Sequence, residues 1–169
     1  LSSAASDVYK RQGLALVLLV VGGISLTRAA RPSWASDEEA DATVLGLLEN
    51  VYRSFDYRDE GVIYDSLERS VTGDLLTDTY LETRRSLELE NQGGARAKVK
   101  AVEMVESTHS PLAGVGFESV CTWNVAGSVG HWGHVHQRVN QYQARLAVEA
   151  VEGRWKITDL ELLQEERKQ

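Results

Sequence analysis

The segment ARAKVKAVEM, residues 95–104, decides the fold class of this chain because small apolar and charged side chains alternate along it. Alternation with a period of two is typical of a β-strand that buries one face and exposes the other. The alternation changes phase at Ala101, and Val102 and Met104 then continue it. A change of phase within one strand indicates a β-bulge, which bends the strand and increases the twist of its sheet.

Three more stretches with the same period follow, over residues 117–125, 135–148 and 155–162. The phase changes again near residue 140 and after Ile157, so further bulges are predicted in the third and fourth strands. Repeated bulges predict an antiparallel sheet curved into a half-cone. We expect Trp123 and Trp155 to anchor its core, each at a cost of about 3–5 kcal/mol when replaced by alanine.

Three helices are predicted before the sheet. The sequence SDEE, residues 36–39, is a capping box, and apolar side chains at helical spacing follow it as far as Phe55. A second helix is predicted over residues 59–71, and a third begins at residues 72–74 and ends at NQGG, residues 91–94. Three helices packed on a curved, bulged antiparallel sheet make an α+β fold.

The chain before Ser36 is of a different kind. Residues 1–12, LSSAASDVYKRQ, resemble a translated sequencing-adapter tail and are expected to be an artefact that takes no part in the fold. Residues 13–27 form an almost unbroken apolar run, which predicts a hydrophobic helix acting as a signal, an anchor or the last span of a truncated membrane protein. The rest of the chain is expected to comprise a linker over residues 28–35, the folded domain over residues 36–165 and a tail over residues 166–169.

The apolar run predicts a membrane-associated protein. Arg28 and Arg31 follow the run directly, and by the positive-inside rule they favour a cytoplasmic position for the domain. A signal peptide or signal anchor would instead place the domain outside, and the extracytoplasmic side is our expectation.

Composition excludes several kinds of site. The net charge of −7 argues against a nucleic-acid partner, and we interpret the basic cluster of Arg96, Lys98 and Lys100 as a solvated strand face. Cys121 is the only cysteine, so the chain has no internal disulfide and no Cys-rich metal site. Its position in an alternating strand predicts a buried, unreactive thiol. No cofactor is predicted.

A histidine-rich stretch, GSVGHWGHVHQR, occupies residues 127–138 and predicts a glycine-rich hairpin. His134 and His136 share one face of a strand, because side chains alternate between faces. We expect Val135 to belong to the core with Val139, so that the two histidines face outward or toward a pocket rim. A stable zinc site needs three or four protein ligands, so no metal site is predicted here.

The last alternating stretch includes GRWKITDL, residues 153–160. This sequence is similar to the final strand of the nuclear-transport-factor-2-like superfamily, also called SnoaL-like or cystatin-like. Together with the order of three helices and a long bulged sheet, the resemblance covers residues 36–165. It implies a cone-shaped domain with a pocket between sheet and helices. Members include isomerases, cyclases and dehydratases, but also accessory and assembly domains without chemistry. No catalytic motif of those enzymes can be placed on this chain.

Five residues are candidates for the walls of such a pocket, in addition to the two histidines. A tyrosine beside a buried aspartate can polarise a carbonyl and move a proton, although aromatic residues at helical spacing are also ordinary core residues. The five are Tyr52, Tyr64, Tyr80, Trp123 and Asp159.

Two functions of different class are consistent with the sequence. The leading hypothesis is a non-catalytic, membrane-tethered domain that binds a protein partner or a small apolar ligand. The alternative is a SnoaL-like isomerase or cyclase acting on a small apolar ligand in the cone. The enzyme hypothesis requires His134, His136 or Asp159 to face the cavity beside a second titratable group.

Overall fold

The computed structural model describes Trp34, residues 36–131 and residues 134–168. In these residues three helices precede four strands, so the predicted α+β class and element order are confirmed. The predictions for the adapter-like tail and the apolar run lie outside the described residues. Within those residues, none of the helices has the length and apolar character that crossing a bilayer requires. The elements are α1 (Asp37–Ser54), α2 (Glu60–Glu68), α3 (Gly73–Asn91), β1 (Arg96–Pro111), β2 (Gly116–His131), β3 (His134–Val151) and β4 (Arg154–Arg167).

The helices begin where their capping residues predict. Ser36 Oγ accepts a hydrogen bond of 3.2 Å from the amide of Glu39 at the start of α1. Asp59 Oδ1 accepts one of 3.0 Å from the amide of Val62 at the start of α2. The end of α3 is closed by a 2.9 Å bond from the amide of Gly94 to the carbonyl of Leu89. The predicted starts of the helices are therefore confirmed to within a residue or two, whereas α2 ends at Glu68, three residues before its predicted end.

The sheet is an antiparallel meander in the order β1-β2-β3-β4, and its bulges lie in the two edge strands. Lys100 and Val105 are the extra residues of β1, and Thr158 and Leu163 are those of β4. The pairing of β2 with β3 runs without any shift of register. The predicted bulge near residue 140 is therefore wrong, since β3 is regular throughout.

The inner face of the sheet, defined here as the face that carries Phe117 and Trp123, packs against the helices. Phe117 is fully buried and Trp123 is 3% exposed, whereas Trp155 is only partly buried. Trp123 is therefore a core residue as predicted, whereas Trp155 packs against the core without being fully buried. The fully buried apolar residues around them come from both layers: Ala40, Val44, Ile63, Leu67, Ala144, Leu146 and Val148.

A buried ion pair holds α2 to the last strand. Lys156 is 2% exposed, and its Nζ lies 2.9 Å from Oε1 of Glu68, whose side chain is 40% exposed. The connection after α2 also pairs with β4, because the amide of Ile157 donates to the carbonyl of Ser70 at 2.8 Å. The hydrogen bond from Lys156 lowers the pKa of Glu68 below its ordinary value.

We expect Glu68→Gln to destabilise the domain near neutral pH, because it leaves the buried Lys156 ammonium without its countercharge. Since the pKa of Glu68 is lowered in the folded state, its contribution is present above the carboxyl pKa of the unfolded chain and is lost as the pH falls through the folded-state value. Urea unfolding should therefore separate variant from wild type at about pH 7, and the difference should be smaller at about pH 3.

Glu161→Gln is the matched control, because Glu161 pairs with Arg145 and both side chains are about half exposed. Surface pairs contribute little, so this variant should unfold like the wild type at both pH values. An equal loss of stability in the two variants would contradict the role given to Lys156.

Candidate functional site

The described residues form a groove of about 1060 Å³. It is bounded by α3, by the connection between α1 and α2, and by the start of β1. Most of its surface is apolar, and its size is at the upper end of the range found for ligand sites. The apolar lining comes from Phe55, Tyr57, Leu87, Leu89, Ala95 and Ala97.

The groove exists because α3 is covered at its start and left open toward its end. Leu76 in the first part of α3 is 6% exposed, whereas Leu89 near its end is 56% exposed. Gly94 allows the chain to return closely beneath the helix, since a Cβ at this position would lie 2.6 Å from the carbonyl oxygen of Leu89. Gly93 supplies the positive φ of 90° that the return requires. The open end of α3 therefore keeps apolar side chains accessible.

The rim of the groove is acidic. Asp78, Glu82 and Glu90 line it, and Arg58 is the basic residue among the lining residues. Arg58 Nη2 lies 3.1 Å from Glu90 Oε1, so its charge is already compensated within the rim. The groove therefore favours a ligand that carries positive charge beside apolar groups.

The predicted pocket residues Tyr64 and Tyr80 lie elsewhere on the helical layer. Their rings pack edge to face at 5.5 Å, and Tyr80 Oη donates a 3.3 Å hydrogen bond to Glu60 Oε2. Partial burial raises the pKa of Tyr80. The two tyrosines join α2 to α3 and do not line the groove.

Tyr52 and Trp123 form a polar anchor within the core. Trp123 Nε1 donates a 3.1 Å hydrogen bond to Tyr52 Oη, and the indole stacks on Tyr142 with ring centroids 5.7 Å apart. Burial raises the pKa of Tyr52 to about 12, far from the value that suits a general acid or base near neutral pH. Tyr52 does line a smaller cleft of about 130 Å³ between α1 and β1.

His134, His136 and Asp159 are exposed residues outside the groove. Because β3 is regular, His134 and His136 lie on the same face as Tyr142, and Val135 lies on the other face. Val135 is 66% exposed, so the expectation that it belongs to the core is wrong. This part of β3 is exposed, whereas α3 lies beside the β1 edge at the same end of the sheet, where Ala97 lines the groove. The described residues contain no group of three potential metal ligands.

A largely buried polar cluster was not predicted from the sequence. The side chain of His109 is 1% exposed, its Nε2 lies 2.9 Å from Asp41 Oδ1, and Ser107 Oγ donates to the same oxygen. His109 Nδ1 and Ser119 Oγ are buried without a hydrogen-bond partner among the described residues. The sequence feature that could have indicated this cluster is the second bulge of β1, which turns Ser107 and His109 inward. Their partner Asp41 is distant in the chain, so its contact with them is not visible in the sequence.

Cys121 lies beside this cluster, directly opposite Ser107 in the strand register. Burial raises the pKa of its thiol to about 11, so the reactive thiolate is disfavoured. The thiol therefore behaves as a small core side chain.

No protein-family model matches the chain, and neither does any curated protein sequence. Among solved structures, the chain is similar to the crystal structure of the intermembrane space region of the chloroplast protein ARC6, with a TM-score of 0.54 and 19% sequence identity. The similarity covers 77% of this chain and 98% of that chain. At this identity it shows a shared α+β fold and nothing about activity.

Proposed function

We propose that this chain is a non-catalytic binding protein, whose groove beside α3 takes a segment of a partner protein that carries apolar side chains next to basic ones. The observation that carries the proposal is the groove itself, with its apolar floor and acidic rim. We further propose that the domain belongs to the nuclear-transport-factor-2-like superfamily and is tethered to a membrane through residues 13–27. The bulged antiparallel sheet behind three helices supports the first of these, and the apolar run supports the second.

The dimensions of the groove favour a peptide segment. From Asp78 to Glu90 the helix extends for roughly 18 Å at 1.5 Å per residue. An extended peptide of about five residues has the same length at its rise of about 3.3 Å per residue. Leu89 and Phe55 are 56% and 37% exposed, so a partner's apolar side chains would remove both from water.

The residues that line the groove favour the binding proposal over the isomerase or cyclase hypothesis. The enzyme hypothesis requires two titratable groups that converge in a cavity, and His134, His136 and Asp159 lie outside the lining of the groove. Asp41 and His109 do converge, with Oδ1 and Nε2 2.9 Å apart, but neither residue lines the groove.

We expect the full chain to select peptides in which apolar residues stand next to Lys or Arg from a library of random short peptides. Leu89→Asp places a charge on the apolar floor and should lower the affinity of the selected peptides at least about tenfold, which corresponds to roughly 1.4 kcal/mol. Leu81→Asp is the matched control on the same helix, since Leu81 is 52% exposed and does not line the groove. Binding is measured by fluorescence anisotropy of the labelled peptides.

A charge-reversed variant tests the acidic rim separately. The Asp78→Lys, Glu82→Lys double variant should change the selected peptides from basic to acidic, because the complementary charge has changed sign. Peptides that bind wild type and Leu89→Asp equally well would contradict the proposed groove. Loss of binding in Leu81→Asp would contradict the proposed position of the groove at the end of α3.

A further inference from the structure

One end of the sheet extends past the last strand, and α3 lies beside only its β1 edge. The last residue pair between β3 and β4 is Asn140 with Arg167, and a 2.9 Å hydrogen bond from the amide of Lys168 to the carbonyl of Val139 follows it. Beyond this point β1, β2 and β3 continue as a three-stranded projection of roughly 17 Å at 3.4 Å per residue. We call this projection the finger and define it by residues 96–99, 127–131 and 134–138.

The finger is cationic, although the whole chain has a net charge of −7. Residues 92–102 and 125–142, which contain the finger, include no aspartate and no glutamate. Lys98 and Arg138 are exposed on it, and Lys100 is exposed at its base. The negative charge of the chain therefore lies elsewhere, and the finger is a region of opposite sign.

The cations lie on both faces of the finger, with Lys98 and Lys100 on the face of Gln137 and Arg138 on the other. Lys98 lies in register with Ser128 and Gln137, whereas Arg138 is the next residue after Gln137 and points to the other face. Lys100 is the extra residue of a bulge in the edge strand β1, and its Nζ donates a 3.0 Å hydrogen bond to Gln137 Oε1. An anionic surface that meets the end of the finger would face cations from both of its sides, whereas a protein docked on one face would meet at most two of the three.

We propose that the finger binds the surface of an anionic lipid membrane. Lys and Arg side chains within a Debye length of such a surface are attracted to it, and the acidic remainder of the domain is repelled. Both effects turn the finger toward the lipid. The proposal goes beyond the function proposed above, because Lys98, Lys100 and Arg138 do not line the groove. It also assigns a role to the basic cluster that the sequence indicated only as a solvated face.

The test places a polarity-sensitive dye at the end of the finger. Val135→Cys, at a position 66% exposed, is labelled in the full chain, and the native Cys121 is 1% exposed and therefore protected from labelling. The emission should shift to the blue with vesicles of phosphatidylcholine and phosphatidylglycerol, and not with phosphatidylcholine alone. Val115→Cys is the matched control, since Val115 is 57% exposed in the turn at the opposite end of the sheet.

Charge reversal separates the finger from the rest of the chain. Lys98→Glu with Arg138→Glu should lower partition onto the anionic vesicles at least about tenfold. Arg85→Glu with Arg154→Glu makes the same change in net charge on exposed residues outside the finger and should have a smaller effect. The proposal is overturned by equal shifts at positions 115 and 135, by an equal shift with neutral vesicles, or by equal effects of the two double variants. A shift with poly-glutamate and none with vesicles would also overturn it, in favour of an acidic protein.

Discussion

Phe117→Ala is expected to lower the free energy of unfolding by about 3–5 kcal/mol, the range for removing a large aromatic side chain from a core. Phe117 is fully buried, and its ring centroid lies 5.0 Å from that of Trp34 and 5.6 Å from those of His109 and Trp155. The three neighbours come from the segment before α1, from β1 and from β4. The cavity would therefore remove contacts that join distant parts of the chain, and the rigid rings around it cannot close it.

The measurement is urea unfolding followed by far-UV circular dichroism, which is independent of the tryptophans. Phe55→Ala is the control, since Phe55 is 37% exposed at the end of α1 and its loss creates no enclosed cavity. We expect a far smaller change for the control. Similar midpoints for the two variants would show that Phe117 is not the centre of the core.

Trp123→Ala is expected to cost a similar amount, about 3–5 kcal/mol, and more than Trp155→Ala. Trp123 is 3% exposed, stacks on Tyr142 and donates its indole hydrogen to Tyr52, so the substitution removes a hydrogen bond as well as volume. Trp155 is only partly buried, and solvent would fill part of the space that it leaves.

The comparison uses the same urea unfolding measurement on both variants. Tyr52→Phe is also made in the Trp123→Ala background. Because the hydrogen-bond partner of the tyrosine is already absent there, this second substitution should lower the free energy of unfolding little further. A Trp155→Ala variant that is less stable than Trp123→Ala would reverse the ranking and place the centre of the core nearer the β3–β4 turn.

The sequence predicts the helical layer well because its signals are local. Ser36 and Asp59 mark the first turns of α1 and α2, and the glycines at positions 93 and 94 mark the end of α3. The first bulge of β1 and the first of β4 are also visible, since each shifts the apolar residues of one strand by one position. Signals of this kind depend on neighbours within a few residues.

The third strand shows why the rest could not be predicted. Residues 135–139 alternate with valine at positions 135 and 139, but this part of β3 is exposed. Alternation identifies a core face only when a second layer buries one side of the sheet. The alternation along the finger therefore did not indicate which of its faces is buried. The groove depends on where α3 leaves the sheet, and the Asp41–His109 contact joins residues 68 positions apart. Both are properties of tertiary packing.

The bulges in β4 have a consequence for association between copies. From Thr158 onward this strand is an edge, and an edge with unpaired backbone groups can template aggregation. Here Thr158 and Leu163 interrupt the regular spacing of those groups, and four acidic residues occupy positions 159, 161, 165 and 166. Two copies that joined their sheets through this edge would bring like charges together on strands of mismatched spacing. A long sheet can therefore end in an open strand and still resist edge-to-edge polymerisation.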